Sequence, residues 1–290
     1  MSNGFALGDI TVQRIIEEES PLFDPLTFFP TLTRDVLEAN RAWLEPAALD
    51  PVTGKLVLAI QSWVVRTKHH TILVDTCVGN DKDRPAHPFW NRLRGDGYMR
   101  GLAALGLSVD DIDVVMCTHM HVDHVGWNTR LENGVWVPTF PKARYVFSAG
   151  EFAHWNAENA RAPVLPFVDS VLPIVAAGRA EMVADDHAIT DDIRLEATPG
   201  HTPHHVALRV GRGDTEALFT GDLIHSPLQA RYPELSMRAD YDPVQAAATR
   251  RRVLECACEA RTLLCFAHFP SPSRARLARW GDGFRAEAVG

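Results

Sequence analysis

Apolar and polar positions divide the chain into short apolar runs and longer stretches with helical periodicity. Nine apolar runs are rich in β-branched and aliphatic residues and are bounded by Gly, Pro or Asp, which predicts β-strands. They lie at 10–16, 56–66, 71–75, 114–118, 144–147, 193–197, 205–210, 217–220 and 262–266. Helical patterns alternate with them at 33–43, 98–105, 149–160, 164–176 and 243–260. This alternation predicts an α/β fold.

The last helical stretch, 243–260, combines an apolar stripe with a run of three arginines. The stripe comprises Val244, Ala247, Ala248, Leu254, Ala257 and Cys258. Arg250, Arg251 and Arg252 fall mainly outside it and are interpreted as a solvated helix face. Elsewhere, Asn133 and Gly134 predict a hairpin, because Asn-Gly readily adopts the positive φ of tight turns.

Residues 20–33 differ from the rest in combining three prolines with Phe23, Phe28 and Phe29. The segment is too rich in proline for a helix and too apolar for an ordinary loop. Residues 1–45 thus include an apolar N-terminal arm. It is expected to be a lid over a site, an arm on a partner subunit in a homodimer, or an irregular arm packed on the core. No linker or repeat divides the chain, so residues 1–290 are predicted to form a single domain.

Composition limits the binding partners and the cellular compartment that the chain is expected to have. Lys and Arg number 29 and Asp and Glu 37, which gives a net charge of −8 and disfavours binding to nucleic acid or anionic lipid. No apolar run approaches the roughly 18 residues that a membrane span requires, and residues 1–19 lack a secretion-signal pattern. Five cysteines without C-x-x-C spacing indicate reduced, buried thiols in a cytoplasmic protein.

The 13 histidines include a dense group after the strand predicted at 114–118. The group has the pattern H-x-H-x-D-H and comprises His119, His121, Asp123 and His124. In an extended loop alternate side chains leave on the same side, so His119 and His121 can converge on one metal ion. The chain turns near Gly126, so Asp123 and His124 point elsewhere and can serve a second ion. Packing alone does not call for three histidines beside an aspartate, and the pattern therefore predicts a metal site.

Three further candidates follow predicted strands. His201 lies in P-G-H-T-P after 193–197, Asp222 lies in T-G-D after 217–219, and His268 follows 262–266. Open α/β sheets tend to build sites just beyond the ends of their strands. With the first group, these residues make a set of five histidines and two aspartates without a thiolate.

In combination, these motifs resemble those of the metallo-β-lactamase-fold hydrolases over most of the chain, from about residue 10 to about residue 284. The resemblance implies a four-layered αββα sandwich with a two-metal site along one edge. It implies that His119, His121 and His201 bind one metal ion, and that Asp123, His124 and His268 bind the other. Asp222 is implied as the bridging carboxylate, and an aspartate there argues against the thiolate-ligated β-lactamases.

The donor set suggests the chemistry. Two divalent ions about 3.5 to 4 Å apart can share a water and lower its pKa toward neutrality, which provides a hydroxide nucleophile. Asp123 is the candidate for orienting that hydroxide and moving its proton. Imidazole and carboxylate suit zinc, and iron, manganese or cobalt are compatible with the same ligand types.

Supporting residues are predicted from the same stretches. Thr118 and Thr202 can hydrogen-bond to the ligand loops. By resemblance, Asp75 ends its strand where an aspartate organises the loop below the metals. His205 matches the second histidine of the P-G-H-T-P-G-H pattern, where a ring-nitrogen hydrogen bond would fix the geometry of the site.

Within the family, the closest resemblance is to the methyl-parathion-hydrolase and N-acyl-homoserine-lactonase-like branch. His225 stands three residues after Asp222, where lactonases of this branch usually carry a tyrosine that supports the substrate carbonyl, so His225 is a candidate catalytic residue. The change favours phosphotriesterase-like or esterase members. Trp127, with Phe23, Phe28 and Phe29, is expected either to line an apolar substrate pocket or only to pack the loops.

The leading hypothesis is a dinuclear metal hydrolase of a small, largely neutral ester, lactone or organophosphate triester. A thioesterase of the glyoxalase II kind or a phosphodiesterase of the same fold is the second hypothesis, although no cationic cluster serves such anionic substrates. The third is a non-enzymatic, metal-stabilised binding module.

Overall fold

The computed structural model describes residues 4–289, with Asp214 described by its backbone alone. Over these residues the strands form two seven-stranded sheets and one hairpin. The first sheet contains, in spatial order, β1 (Phe5–Leu7), β2 (Ile10–Phe23), β3 (Leu56–Arg66), β4 (Thr71–Val74), β5 (Val114–Met116), β8 (Arg144–Ser148) and β9 (Ala180–Val183). The second contains β10 (Ala188–Thr190), β11 (Ile193–Ala197), β12 (Val206–Val210), β13 (Ala217–Phe219), β14 (Leu263–Cys265), β15 (Arg274–Trp280) and β16 (Gly283–Ala288). The hairpin pairs β6 (Thr129–Glu132) with β7 (Val135–Pro138).

Helices alternate with these strands along the chain. They are α1 (Pro25–Phe28), α2 (Arg34–Leu44), α3 (Gly97–Ala104), α4 (Ala149–Arg161), α5 (Leu165–Ser170), α6 (Leu172–Ala176), α7 (Pro227–Arg231) and α8 (Pro243–Ala260). Two large sheets with helices confirm the predicted α/β class. The chain divides into two compact units, the first formed by residues 1–17 and 60–187 and the second by 18–59 and 188–290. That one domain spans residues 1–290 stays a prediction, and its ends, 1–3 and 290, lie outside the described residues.

In the first unit, β4, β5, β8 and β9 run parallel. The apolar residues of β4 and β5 are almost completely buried, as is typical of parallel strands covered on both faces. Because the carboxyl ends of parallel strands meet at one edge, the residues that follow β4 and β5 come together there. These are the segments that carry Asp75 and Thr118.

In the second unit, β13 and β14 form the single parallel pair of an otherwise antiparallel sheet over the described residues. Helix α8 packs on this sheet in one buried cluster that includes Val253, Leu254, Leu218, Leu264 and Phe284. The segments that follow β13 and β14 therefore lie at one edge, and they contain Asp222 and His268.

Helix α8 has the predicted bounds, but the face that it buries differs from the prediction. Asp242 caps it by accepting from the amides of Val244 and Gln245, and proline at the first turn suits a helix start. Val244 is 81% exposed and Ala248 is also exposed, so the predicted stripe is wrong at both positions. The buried face instead contains Ala246, Thr249, Arg250, Val253, Leu254 and Ala257.

The N-terminal region forms regular structure. Strand β2 continues to Phe23, and the expectation of no helix in 20–33 is wrong, because Pro25 occupies the first turn of the short helix α1, where a missing N–H costs nothing. Phe28 and Phe29 are buried within the second unit, which agrees with packing on the core. The homodimer, which was expected from the apolar N-terminal arm, stays a prediction.

Other differences are local. The helix predicted at 164–176 is two helices, α5 and α6, that meet at Val171. Strands β1, β9, β10, β15 and β16 were not predicted, whereas the Asn133-Gly134 hairpin is confirmed, with both residues at positive φ. All five cysteines are free, but Cys256 is exposed, contrary to the prediction of buried thiols. Among the described residues, none of the helices combines the length and apolar character needed to cross a membrane.

Candidate metal centre

The H-x-H-x-D-H segment forms a tight group of side chains in the first unit. It follows β5 as an irregular loop, and the ring centroid of His119 lies 4.5 Å from that of His121 and 4.1 Å from that of His124. A carboxylate oxygen of Asp123 lies 3.8 Å from Nε2 of His124. The rings of His119 and His121 are therefore close together, as predicted, and the ring of His124, which was expected to point elsewhere, also lies beside His119. We call this group the loop cluster, comprising His119, His121, Asp123 and His124.

Asp75 supports the loop cluster from the end of β4. Its Oδ1 accepts from the amide of Thr118 at 2.7 Å, and its Oδ2 lies 2.8 Å from Nδ1 of His124. The Thr118 hydroxyl also lies within 3.1 Å of both carboxylate oxygens of Asp75. Asp75 and Thr118 therefore form hydrogen bonds to this loop, and their role in supporting a metal site stays a prediction.

These bonds select the ring nitrogens that face a metal ion. The hydroxyl proton of Thr118 goes to Asp75, so its oxygen can accept from Nδ1–H of His119, 3.1 Å away. His124 likewise uses Nδ1–H toward Asp75. In both rings Nε2 then carries the lone pair, which is the tautomer that a metal ligand requires.

Helix α4 adds a support that the sequence pattern did not reveal. Glu151 is almost completely buried, and its Oε1 accepts from the amide of Met120 at 3.3 Å and from the indole of Trp155 at 2.6 Å. The Trp155 ring in turn meets His121 edge to face at 5.5 Å. A glutamate in the first turn of a helix is common, so no local signal distinguishes this one.

Trp127 is 5% exposed and packs within the first unit. Its ring stacks on Tyr98 at 5.2 Å, and its Nε1 donates to Glu17 at 2.6 Å. Loop packing, one of the two expected roles, accounts for these contacts. A place for Trp127 in a substrate pocket stays a prediction.

The second unit gathers three imidazoles around one buried carboxylate. Nε2 of His201 lies 3.1 Å and Nε2 of His225 lies 3.2 Å from Oδ2 of Asp222, and Nε2 of His268 lies 2.8 Å from Oδ1. The four residues follow the ends of β11, β13 and β14. We call them the strand-end cluster, comprising His201, Asp222, His225 and His268.

Each predicted ligand of the strand-end cluster is held by a hydrogen bond from an atom that does not face the Asp222 carboxylate. Nδ1 of His201 lies 2.9 Å from Oδ1 of Asp240, and Nδ1 of His268 lies 2.9 Å from the carbonyl oxygen of Ala59. The backbone amide of Asp222 donates to Nε2 of His205 at 2.9 Å. The ring-nitrogen hydrogen bond predicted for His205 is therefore confirmed.

The partners of His205 and Thr202 differ from expectation in detail. Thr198, which was not predicted, lies with its hydroxyl 2.8 Å from Nδ1 of His205. Thr202 contributes its backbone carbonyl, which accepts from Gly200 at 2.9 Å. Its buried hydroxyl has no hydrogen-bond partner among the described residues, so Thr202 bonds to this loop through its backbone.

Arg250 corrects the interpretation of the arginine run. Its side chain is completely buried, and its guanidinium donates to the carbonyl oxygens of Leu223, Pro233 and Leu235 at 2.7 to 2.8 Å. Helical periodicity places a residue on a face but does not tell a buried cation from a solvated one. Arg251 and Arg252 have solvent access, as predicted.

His225 occupies a buried and restricted position. Its amide donates to Oε1 of Gln229 at 2.8 Å, and its ring stacks on His268 and meets Phe28 edge to face at 5.6 Å. Burial is the largest effect on its pKa and lowers it, against the opposing effect of Asp222. The neutral ring can therefore donate from Nε2 toward the carboxylate.

The charges in the strand-end cluster fit a divalent cation. Burial would lower the pKa of His201, but the carboxylates of Asp222 and Asp240 on its two sides raise it to about 9. The buried carboxylates of Asp222 and Asp240 therefore create a negative potential around His201, and this potential stabilises a cation. Imidazole nitrogens and carboxylate oxygens are ligands of divalent transition metals. The seven predicted ligands are all among the side chains that could hold a metal ion.

A family comparison agrees with this arrangement. Residues 56–268 match the model of the metallo-beta-lactamase superfamily. The chain belongs to this superfamily. The match covers most of the chain and spans every predicted ligand, so the chain is a metal-dependent hydrolase of that superfamily.

Curated relatives within this superfamily include N-acyl homoserine lactonases. The N-acyl homoserine lactonase AiiA of Bacillus thuringiensis subsp. kurstaki is 22% identical over 246 residues, which cover 80% of this chain and 91% of the relative. An N-acyl homoserine lactonase of Bacillus cereus is also 22% identical over 248 residues, covering 79% and 90%.

Solved structures share the fold. AidC, described as a dizinc quorum-quenching lactonase, matches with a TM-score of 0.79 and 20% identity over 99% of this chain and 97% of the other. The hydrolase AbOPH of the beta-lactamase superfamily matches with a TM-score of 0.82 and 21% identity over the same shares. These likenesses confirm the metallo-β-lactamase fold that the motifs implied.

Proposed function

We propose that the loop cluster and the strand-end cluster together hold two divalent metal ions, with zinc as the metal. The ligands are the seven residues implied by resemblance: His119, His121, Asp123, His124, His201, Asp222 and His268. The observation that carries this proposal is the buried Asp222 carboxylate with three imidazole Nε2 atoms within 3.2 Å. Membership of the superfamily supports it.

Two bound metal ions would supply an activated water and would polarise the carbonyl or phosphoryl oxygen under attack. The protein contributes the orientation of its own groups. Asp123, whose side chain is 11% exposed at the loop cluster, can orient the water and accept its proton. His225 is held by Gln229, and its Nε2 faces Asp222. With Asp222 engaged by the metal ions, the Nε2–H of His225 would be available to donate to the substrate oxygen.

We propose a small, largely neutral lactone, ester or organophosphate triester as the substrate. The curated relatives are N-acyl homoserine lactonases, which supports cleavage of a neutral acyl compound. Phe28 packs against His225 and Phe23, so an apolar wall borders the proposed donor. The net charge of −8 disfavours the anionic substrates of a thioesterase or a phosphodiesterase.

The first experiment is a substrate panel with zinc-loaded protein. We expect turnover of p-nitrophenyl esters, N-acyl homoserine lactones or a triester, and loss of turnover with a chelator. S-lactoylglutathione and a cyclic dinucleotide serve as anionic comparisons. Higher activity on either of these would favour the thioesterase or the phosphodiesterase, and no turnover across the panel with zinc bound would contradict a hydrolase of this class.

The second experiment separates lactones from other neutral substrates. His225→Tyr introduces the residue that lactonases of the resembling branch usually carry, and we expect it to raise the ratio of lactone to ester turnover. His69→Tyr, at an exposed position of the first unit, is the control and should leave the ratio unchanged. An unchanged ratio in His225→Tyr would contradict contact between His225 and the substrate.

We also propose a cytoplasmic location. The absence of disulfides among the five cysteines supports this assignment. Fractionation of cells that produce the protein at natural levels would test the location, and recovery outside the cytoplasm would contradict it.

A further inference from the structure

A buried arginine of α8 connects two segments of the second unit. Nε of Arg250 donates to the carbonyl of Leu223, the residue after Asp222, at 2.7 Å. Nη1 donates to the carbonyls of Pro233 and Leu235, each at 2.8 Å. Nη2 lies 3.6 Å from Oδ2 of Asp240. One guanidinium therefore ties the turn that carries Asp222 to the segment that carries Asp240.

Asp240 passes this constraint to the ring of His201. Its side chain is completely buried, and Oδ1 lies 2.9 Å from Nδ1 of His201. Its Oδ2 accepts from the amide of Met237 at 2.8 Å. Because both carboxylate oxygens have fixed partners, the carboxylate cannot rotate without breaking one of these bonds.

The backbone of His201 is held by the same part of the chain. The amide of Tyr241 donates to the carbonyl of His201 at 3.0 Å, and the amide of Asp242 donates to the carbonyl of Gly200 at 2.9 Å. A Cβ atom at Gly200 would lie 2.3 Å from the amide nitrogen of Ala246, so only glycine fits this contact with α8. Residues 240–246 thus set both the backbone and the ring of His201.

We infer that Asp240 and Arg250 are positioning residues of the metal centre, which hold His201 and Asp222 in one fixed relation. The inference rests on the proposed binding of zinc to these two residues. A carboxylate on the outer nitrogen of a ligand histidine orients the ring and raises its basicity. A buried ion pair adds little net stability against its desolvation cost, which agrees with a role of this pair in fixing geometry.

The test measures zinc affinity of the full chain by competition with a chromophoric chelator. Asp240→Asn keeps the shape and an acceptor oxygen but removes the charge, and we expect zinc affinity to fall by about 10- to 100-fold. Asp169→Asn is the matched control, since Asp169 also pairs with a buried arginine, Arg84, at 2.7 Å but belongs to neither cluster. We expect the control to lower thermal stability and to leave zinc affinity unchanged.

A second variant covers the case in which Asp240→Asn folds poorly. Arg250→Lys keeps the positive charge but cannot reach all four partners of the guanidinium. We expect it to lower zinc affinity and to shift the visible absorption of the cobalt(II)-substituted protein. Asp169→Asn should leave that spectrum unchanged.

Two results would overturn the inference alone. Either Asp240→Asn and Arg250→Lys retain the zinc affinity of a wild-type protein that binds two zinc ions, or Asp169→Asn loses as much affinity as they do. A wild-type protein that binds no zinc would overturn the proposed function, and this inference with it.

Discussion

The loop cluster and the strand-end cluster bring their candidate metal ligands together in different ways. In the loop cluster, four candidate ligands lie within six consecutive residues, and Asp75 and Thr118 orient two of their rings. In the strand-end cluster, the candidate ligands come from three separate strand ends. The residues that hydrogen-bond to these ligands are distant in sequence, and Ala59 lies 209 residues from His268. Local sequence therefore specifies the first cluster, whereas the tertiary fold assembles the second.

Metal removal is the strongest test of whether the two clusters act together. We expect dialysis against a chelator to reduce turnover to the level of the buffer blank, because the proposed attacking water is activated only by the bound metal ions. Two equivalents of zinc per chain should be needed to restore full activity. Full recovery with one equivalent would contradict the need for two ions, since a single bound ion would then suffice for turnover.

Asp123→Asn tests the catalytic share of the loop cluster. We expect turnover to fall by about 10²- to 10⁴-fold, because asparagine cannot accept the proton of the attacking water. Steady-state kinetics at saturating zinc measure the loss, with exposed Asp110→Asn in the same unit as the control. A protein that shows no turnover but retains ligand affinity in both forms would indicate a binding module instead.

Paired variants compare the supports of the two clusters. Asp75→Asn and His205→Gln should each lower zinc affinity by about 10- to 100-fold, the range typical of outer hydrogen-bond partners. We expect the larger loss for Asp75→Asn, since it bonds to His124 directly and reaches His119 through Thr118. Equal or reversed losses in the chelator competition would show that the strand-end cluster depends as much on one side chain.

The smallest expected effect is a difference in stability between variants of Thr118 and Thr202, for which the sequence predicted the same role. Thr118→Val removes the hydroxyl that donates to Asp75 and should lower the free energy of unfolding by about 1 to 3 kcal/mol. Thr202→Val removes a hydroxyl that has no partner among the described residues, so a change within about 0.5 kcal/mol is expected. Urea denaturation measures both, and a large loss in Thr202→Val would contradict this assignment.

Much of the fold was predictable because regularly packed strands and helices have regular patterns of apolar residues in the sequence. Strand β3 and helix α8 have the predicted bounds, since apolar residues on both sides of Gln61 and Ser62 mark the first and Asp242-Pro243 marks the start of the second. Strand β15 was missed because three arginines interrupt its apolar residues, whereas the strands that were predicted contain apolar runs. The residues buried on α8 were also misplaced, because an arginine lies at their centre.

The site was predictable to the extent that its residues carry chemistry in themselves. Histidines and aspartates after strands are visible in sequence, and so is the Asp75 that ends β4. Asp240 lies 39 residues from His201, and nothing in its immediate sequence marks it as a partner. Glu151 and Arg250 act on backbone amides and carbonyls, which every residue has, so no sequence pattern indicates which of them will be bound.

The outer partner of His268 is a backbone atom, and this has an evolutionary consequence. Nδ1 of His268 bonds to the carbonyl of Ala59, and the amide of Ala59 donates to the carbonyl of His268 at 3.0 Å. Substitution cannot delete a backbone carbonyl, so residue 59 can drift among small side chains without loss of this support. His201 depends instead on the side chain at 240, where most substitutions remove its partner. Selection should therefore conserve position 240 much more strictly than position 59.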